Sequence, residues 1–377
     1  MGIDHEVLYG LVKEFMTSSS QAVKSDKFCF PWMASREFDL LWFFAPLLLA
    51  IAASICLQLP SVAFPSVLFL FIANAFGIGP AHQGPTWFFY FDKKNNQYWT
   101  QDRGRVALYY LAPLAVGIGT LFLAVVTPWL CLTITTLWGV QHFVQQNLGI
   151  VLLYHNKNAN EALPNRDLLS RSLWTPSIFF VSVFFYRQLF PGVESNWALA
   201  FFAGLALLAL YDIARYLNNI LKQVNAGASI NVPALLFWVT SVLYFVPFVF
   251  PGQRVETAFL IPGTMHWCQY IGLNIILIRY KYQDENRKFD IPINAQLLMT
   301  ILCVGSLGIY LLTHAVRLDF SPGSFYFKLL MGCSIAMSNI HYFQDAFFWR
   351  FREQFQRDSI MPYLLQARHV EALGSKS

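Results

Sequence analysis

Residues 138–157 read WGVQHFVQQNLGIVLLYHNK. The run is apolar and long enough to cross a bilayer, yet it sets His142, Gln145, Gln146 and Asn147 at membrane depth. There each polar side chain costs free energy until it finds a partner.

Working outward, the same arrangement returns twice. His266-Trp267-Cys268-Gln269 lies in the apolar run 258–280, and His341-Tyr342-Phe343-Gln344 lies in the run 325–349. Histidine and glutamine three residues apart share one face of a helix. A fourth histidine, His82, stands in the run 62–91 with Gln83 beside it. Gly79-Pro80 and Gly84-Pro85 bracket His82, which predicts a kink or break in that helix.

The whole chain supports a membrane reading of these runs. Of its 377 residues, 56% are hydrophobic, 17% aromatic and only 12% charged, whereas charged residues make up about 25% of ordinary soluble domains. Ten apolar runs approach or exceed the roughly 18–20 residues a bilayer core requires: 39–59, 62–80, 105–127, 129–154, 174–190, 197–216, 232–250, 258–280, 295–315 and 325–349. The fifth is the shortest. Placing both termini in the cytoplasm puts 22 of the 26 Lys and Arg residues on the inner side, as the positive-inside rule demands. The expected fold is therefore all-α and polytopic, with about ten transmembrane helices in five helical hairpins.

Outside the bundle at 38–350, residues 1–37 form a cytoplasmic N-terminal segment and 351–377 a cytoplasmic tail. Leu8, Leu11, Val12 and Phe15 predict an amphipathic helix on the membrane surface. No charged n-region precedes an apolar h-region, so no cleavable signal is expected. The net charge of +5 belongs to the basic inner loops and gives no reason to invoke nucleic acid. The cysteines, Cys29, Cys56, Cys131, Cys268, Cys303 and Cys333, form no C-x-x-C pair and read as small buried hydrophobes. With no N-x-S/T sequon, the bacterial inner membrane is the default location.

Depth turns four isolated histidines into a candidate site. His82, His142, His266 and His341 precede Lys93, His155, Arg279 and Arg350 at the inner ends of their helices, which places all four about 14–20 Å from the inner charged belt at 1.5 Å of rise per residue. Neutral imidazole is a common ligand of zinc, iron and copper, and one ion would satisfy the polar groups of several helices at once. Asp345 lies one turn beyond His341, and a carboxylate at this depth calls for a cation or a proton. The expected metal ligands are thus His82, His142, His266, His341 and Asp345, with Asp345 also the candidate general base. Behind them, Gln145, Gln269, Gln344, His155 and Tyr270 are expected to orient the ligands.

A histidine and carboxylate set with open positions suits non-haem iron, and the leading expectation is an oxidoreductase of hydroxylase, desaturase or oxygenase type acting on a lipid or other apolar substrate. Such an enzyme would meet membrane lipids, and any redox partner would dock at the basic cytoplasmic loops. The H-x-x-x-H and H-x-x-H-H clusters of membrane desaturases are absent from the sequence. Three alternatives use the same residues: a zinc-dependent hydrolase, a transporter with a midplane polar path, and a haem protein with axial histidine pairs.

Overall fold

The computed structural model describes residues 27–58, 78–157, 162–193, 195–250, 258–282, 289 and 293–365. Most of them are helical. The only sheet among the described residues is a parallel pair, β1 (Phe28–Cys29) with β2 (Ile230–Asn231).

The first helix, α1, runs Arg36–Asp39, passes through a π turn at Leu40–Phe44 and continues as Ala45–Gln58. Two short helices follow, α2 (Ile78–Ala81) and α3 (Gly84–Phe88), then α4 (Lys93–Trp99). The long helices are α5 (Arg103–Val126, with a π turn at Ala107–Leu111), α6 (Pro128–His155), α7 (Arg166–Leu189) and α8 (Asn196–Asn225). Next come α9 (Val232–Val242, with a 3-10 turn at Val246–Val249), α10 (Leu260–Lys281), α11 (Ala295–Arg317) and α12 (Phe325–Phe348). Side chains fix several starts: Asn165, Ser195, Asn231, Asn294 and Ser324 each accept a hydrogen bond from a backbone N–H of the first turn.

Five helical segments, Arg103–Val126, Arg166–Leu189, Asn196–Asn225, Val232–Val249 and Ala295–Arg317, are long and apolar enough to cross a membrane. By length and composition they point to a membrane protein. The outer face of α8 agrees, since Trp197 is 85% and Leu199 70% exposed, a surface that suits lipid and not water. The helices α6, α10 and α12 are as long and carry the buried histidines.

The structure departs from the expected spans at α7. The helix expected at 174–190 begins at Arg166 and continues through Pro176, so the shortest run belongs to a full-length helix. Most of the run 62–80 and the N-terminal amphipathic stretch lie outside the described residues. Within the expected tail at 351–377, α13 (Gln354–Ser359) and α14 (Met361–Leu365) are docked on the bundle. There α14 packs on α10, Phe355 stacks on Tyr98 at 3.8 Å, and Gln356 Nε2 donates to Tyr109 Oη at 3.1 Å.

At the centre stands α6, touching α5, α7, α9, α10 and α12. The pair α5 and α12 packs along its length, and small residues allow the approach: a Cβ added at Gly332 would lie 2.8 Å from Ala124 Cβ. Asn339 Nδ2 ties the same helices to α6 by donating to Thr120 Oγ1 at 3.1 Å and Thr135 Oγ1 at 3.0 Å. The hairpin of α7 and α8 lies outside this group, and Arg171 holds the fully buried Asp212 across it at 3.0 Å.

Two buried acids anchor helix ends near the site. Asp39 accepts from Met33 N at 2.6 Å, Ala34 N at 3.1 Å and Tyr154 Oη at 2.8 Å, which joins the N-terminal segment to α6. Asp92 caps α4 through Lys94 N and Asn95 N, pairs with Lys281 Nζ at 2.7 Å and accepts from Tyr282 Oη at 2.6 Å. The second clamp ties the segment that follows His82 to the end of α10.

Candidate metal centre

The local sequence explains how His82 reaches the centre. Helix α2 ends at Ala81 and α3 starts at Gly84 with Pro85 in its first turn, so the chain breaks at His82 and Gln83. Pro85 has no N–H to offer Ala81 O, which favours a break here. Gly84 sits against α11 so closely that a Cβ there would lie 2.5 Å from Cys303 N. Only glycine fits that contact. His82 Nδ1 then donates to Gly79 O, which leaves Nε2 as a bare acceptor.

The four histidines form a closed ring of imidazoles. Ring centres stand 5.1 Å apart for His82 and His266, 4.7 Å for His266 and His142, 5.1 Å for His142 and His341, and 4.7 Å for His341 and His82. Across the ring, His266 and His341 are 5.9 Å apart. An imidazole bound at about 2.0–2.1 Å has its ring centre about 3.2 Å from the ion, so four rings placed tetrahedrally about one ion stand about 5.2 Å apart. The observed spacings bracket that value.

All four are buried, and His266 has no exposed surface. His82 Nε2, His142 Nε2, His341 Nε2 and both ring nitrogens of His266 have no hydrogen-bond partner among the described residues. An unpartnered buried polar atom costs about 1–3 kcal/mol, and each of the four rings carries at least one. Two overlapping sets of ligand atoms lie within 4.8 Å of one another: His82, His266 and His341, and His142, His341 and Asp345.

Asp345 completes the second set. Its Oδ2 is 3.7 Å from His341 Nε2 and 3.8 Å from His142 Nε2, while Oδ1 accepts from Tyr270 Oη at 2.8 Å. With its proton committed to Asp345, Tyr270 Oη accepts from Thr86 Oγ1 at 3.0 Å, and Thr86 Oγ1 in turn accepts from His341 Nδ1 at 2.6 Å. This chain of donors fixes the proton of His341 on Nδ1 and turns the Nε2 lone pair toward Asp345. The Nε2 lone pair of His341 and a carboxylate oxygen of Asp345 therefore face one another, with His142 Nε2 beside them. Acceptors so placed repel unless a cation or a proton sits between them, so the donor set fits a metal ion.

Of the residues expected behind the ligands, Tyr270 is buried and bonds to Thr86 and Asp345. Gln269 is fully buried, and its Oε1 accepts from Gln146 Nε2 at 3.4 Å. Gln344 is buried but turns to Tyr90, donating to its hydroxyl at 2.8 Å, and His155 is buried near the end of α6. Gln145 differs from expectation: it is exposed on the outside of the bundle. Its neighbour Gln146 reaches inward, also donating to His266 O at 3.3 Å. On α6, positions i+3 and i+4 from His142 both lie near its face, and packing selects the second. Thr86 is the residue that sequence reasoning missed. It stands four residues after His82, beyond the helix break, where helical periodicity no longer reports which face a residue takes.

Compared with protein-family models, curated proteins and solved structures, the chain has no match. What the fold and site define is an α-helical membrane protein with a buried cluster of histidines and one carboxylate able to hold a metal ion.

Proposed function

We propose that the chain is a metal-dependent membrane oxidoreductase of the non-haem iron type, acting on a lipid or other apolar substrate. The observation that carries the reading is the ring of four imidazoles, spaced for one ion, with Asp345 Oδ2 3.7–3.8 Å from Nε2 of two of them. Both ligand sets use His341, whose Nδ1 is engaged by Thr86. A single free nitrogen serves a single ion, so the expected stoichiometry is one metal per chain.

Histidine and carboxylate ligation with open positions suits iron, which when bound supplies dioxygen activation for hydroxylation, desaturation or oxidative cleavage. The protein's own part is to position and to exclude water. Thr86 and Tyr270 orient His341 and Asp345, and Tyr270 Oη holds a proton directly against Asp345 Oδ1. The rings stand edge to face at 4.7–5.1 Å around the cluster, leaving no slot for a porphyrin between neighbours and favouring a bare ion over haem.

In the same reading the chain crosses the membrane ten times as five hairpins, with both termini in the cytoplasm and the site in the cytoplasmic half of the bilayer. The distribution of Lys and Arg supports this orientation. An electron donor would dock on the basic inner loops.

The test is metal content by plasma mass spectrometry with an optical spectrum, on detergent-purified protein and on a His142→Ala, His266→Ala double variant. About one equivalent of non-haem iron in the native protein and loss from the variant is the expected result. Zinc in the same place would convert the proposal to hydrolysis. Absence of metal from the native protein overturns it.

A further inference from the structure

Three residues before each histidine of the ring stands a residue with little or no side chain: Gly79-Pro80-Ala81-His82, Gly139-Val140-Gln141-His142, Gly263-Thr264-Met265-His266 and Ser338-Asn339-Ile340-His341. With 21 glycines in 377 residues, glycine at three of four such positions has a chance on the order of one in a thousand. On a helix, positions i and i−3 share a face, so each small residue lies one turn above an imidazole.

The structure shows what this spacing makes. Gly79, Gly139, Gly263 and Ser338 all line one cavity of about 280 Å3, and His82 lies at its edge. The residues that follow three of the histidines, Phe143, Trp267 and Tyr342, wall the same cavity. A Cβ at Gly263 would come within 2.9 Å of the Trp267 ring, and one at Gly139 within 3.3 Å of Tyr342 Oη, so side chains there would press on those walls.

We infer that this cavity is the pocket for a hydrocarbon chain of a lipid substrate, held beside the histidine ring on the side of His82. The inference rests on the metal-site reading for its chemistry, though not for its binding. Thr136, Trp267 and Tyr310 on the rim are only half buried, and around them Ile134, Leu137 and Ile309 face the exterior of the bundle. Entry is thus from the side, through an apolar surface that offers a hydrocarbon and excludes a solute from water. At about 30 Å3 per methylene, close to the volume of one water in the liquid, the cavity holds roughly ten carbons.

Trp267 provides a readout that needs no metal. Its share of the fluorescence is the difference between the native protein and a Trp267→Phe variant, and 1-bromodecane is the quencher. The expected result is a saturable loss of the Trp267 share by about twofold or more, relieved by excess decane. Filling the cavity with Gly139→Leu, or with Thr136→Phe on its rim should the former fail to fold, abolishes that loss. Equal quenching in native and filled proteins overturns the pocket. Native quenching in a protein that is purified without metal sustains the pocket while defeating the metal reading.

Discussion

Replacing Thr86 by valine keeps the shape of a side chain with no exposed surface and deletes one oxygen. That oxygen accepts from His341 Nδ1 at 2.6 Å and joins it to Tyr270 at 3.0 Å. Without it the imidazole loses the bond that fixes its tautomer, and a buried N–H is left alone at a cost of about 1–3 kcal/mol. Loss of such an orienting partner typically weakens metal affinity by about 10–100-fold, or about 1.4–2.7 kcal/mol at 1.36 kcal/mol per tenfold. Competition with a chromophoric chelator on purified protein measures this directly. Thr86→Ser, which restores the hydroxyl, is the control and should stay within about threefold of native. Equal affinities for the valine, serine and native proteins would refute the donor chain from His341 to Asp345, whatever metal is bound.

Three further expectations come from residues around the site. Gln145→Ala should leave thermal stability and metal content unchanged, because Gln145 is exposed, whereas Gln146→Ala strips a donor from Gln269 and His266 and should lower both. Gly84→Ala should cost about 2 kcal/mol or more, seen as a lower Tm in detergent, since its Cβ would meet the α11 backbone at 2.5–2.6 Å. Burial by itself raises the Asp92 carboxyl, but the Lys281 ammonium and the Tyr282 hydroxyl outweigh it and hold the group below its ordinary value. A carboxyl lowered on folding contributes stability that is complete above its unfolded value, near pH 4, and is lost as pH falls through the folded one. Acid titration of Tm should therefore show a fall that Asp92→Asn removes, and a native curve that matches the variant's would count against the clamp.

Much of the site was legible because depth and type are properties of single residues. His82, His142, His266 and His341 share a level along their helices, and that arithmetic survives any rotation of the helices about their axes. Rotation itself was less accessible. Gln145 and Gln146 differ by about 100° around α6, and His142 is equally compatible with either as its neighbour. Thr86 lay beyond the reach of periodicity because the break at His82 and Gln83 resets the helical phase, and only the packing of α3 against α11 aims it at His341. The length of α7 was underestimated because polar residues from Arg166 to Ser172 hide its first turns from a hydropathy reading. The docking of α13 depends on Tyr98 and Tyr109, residues some 250 positions away, and has no local signal.

The parallel pairing of Phe28–Cys29 with Ile230–Asn231 carries a consequence for biosynthesis. Cys29 Sγ donates to Ile230 O across 201 residues of chain, and Ile230 N donates to Lys27 O at 2.9 Å. A ribosome adding about 5–20 residues per second reaches the second strand about 10–40 s after the first. For that interval the early strand has emerged without its mate, open to a protease or to the same strand of a neighbouring nascent chain. A stall in translation before residue 230 would prolong that exposure, so the yield of intact protein should depend on elongation speed across α8.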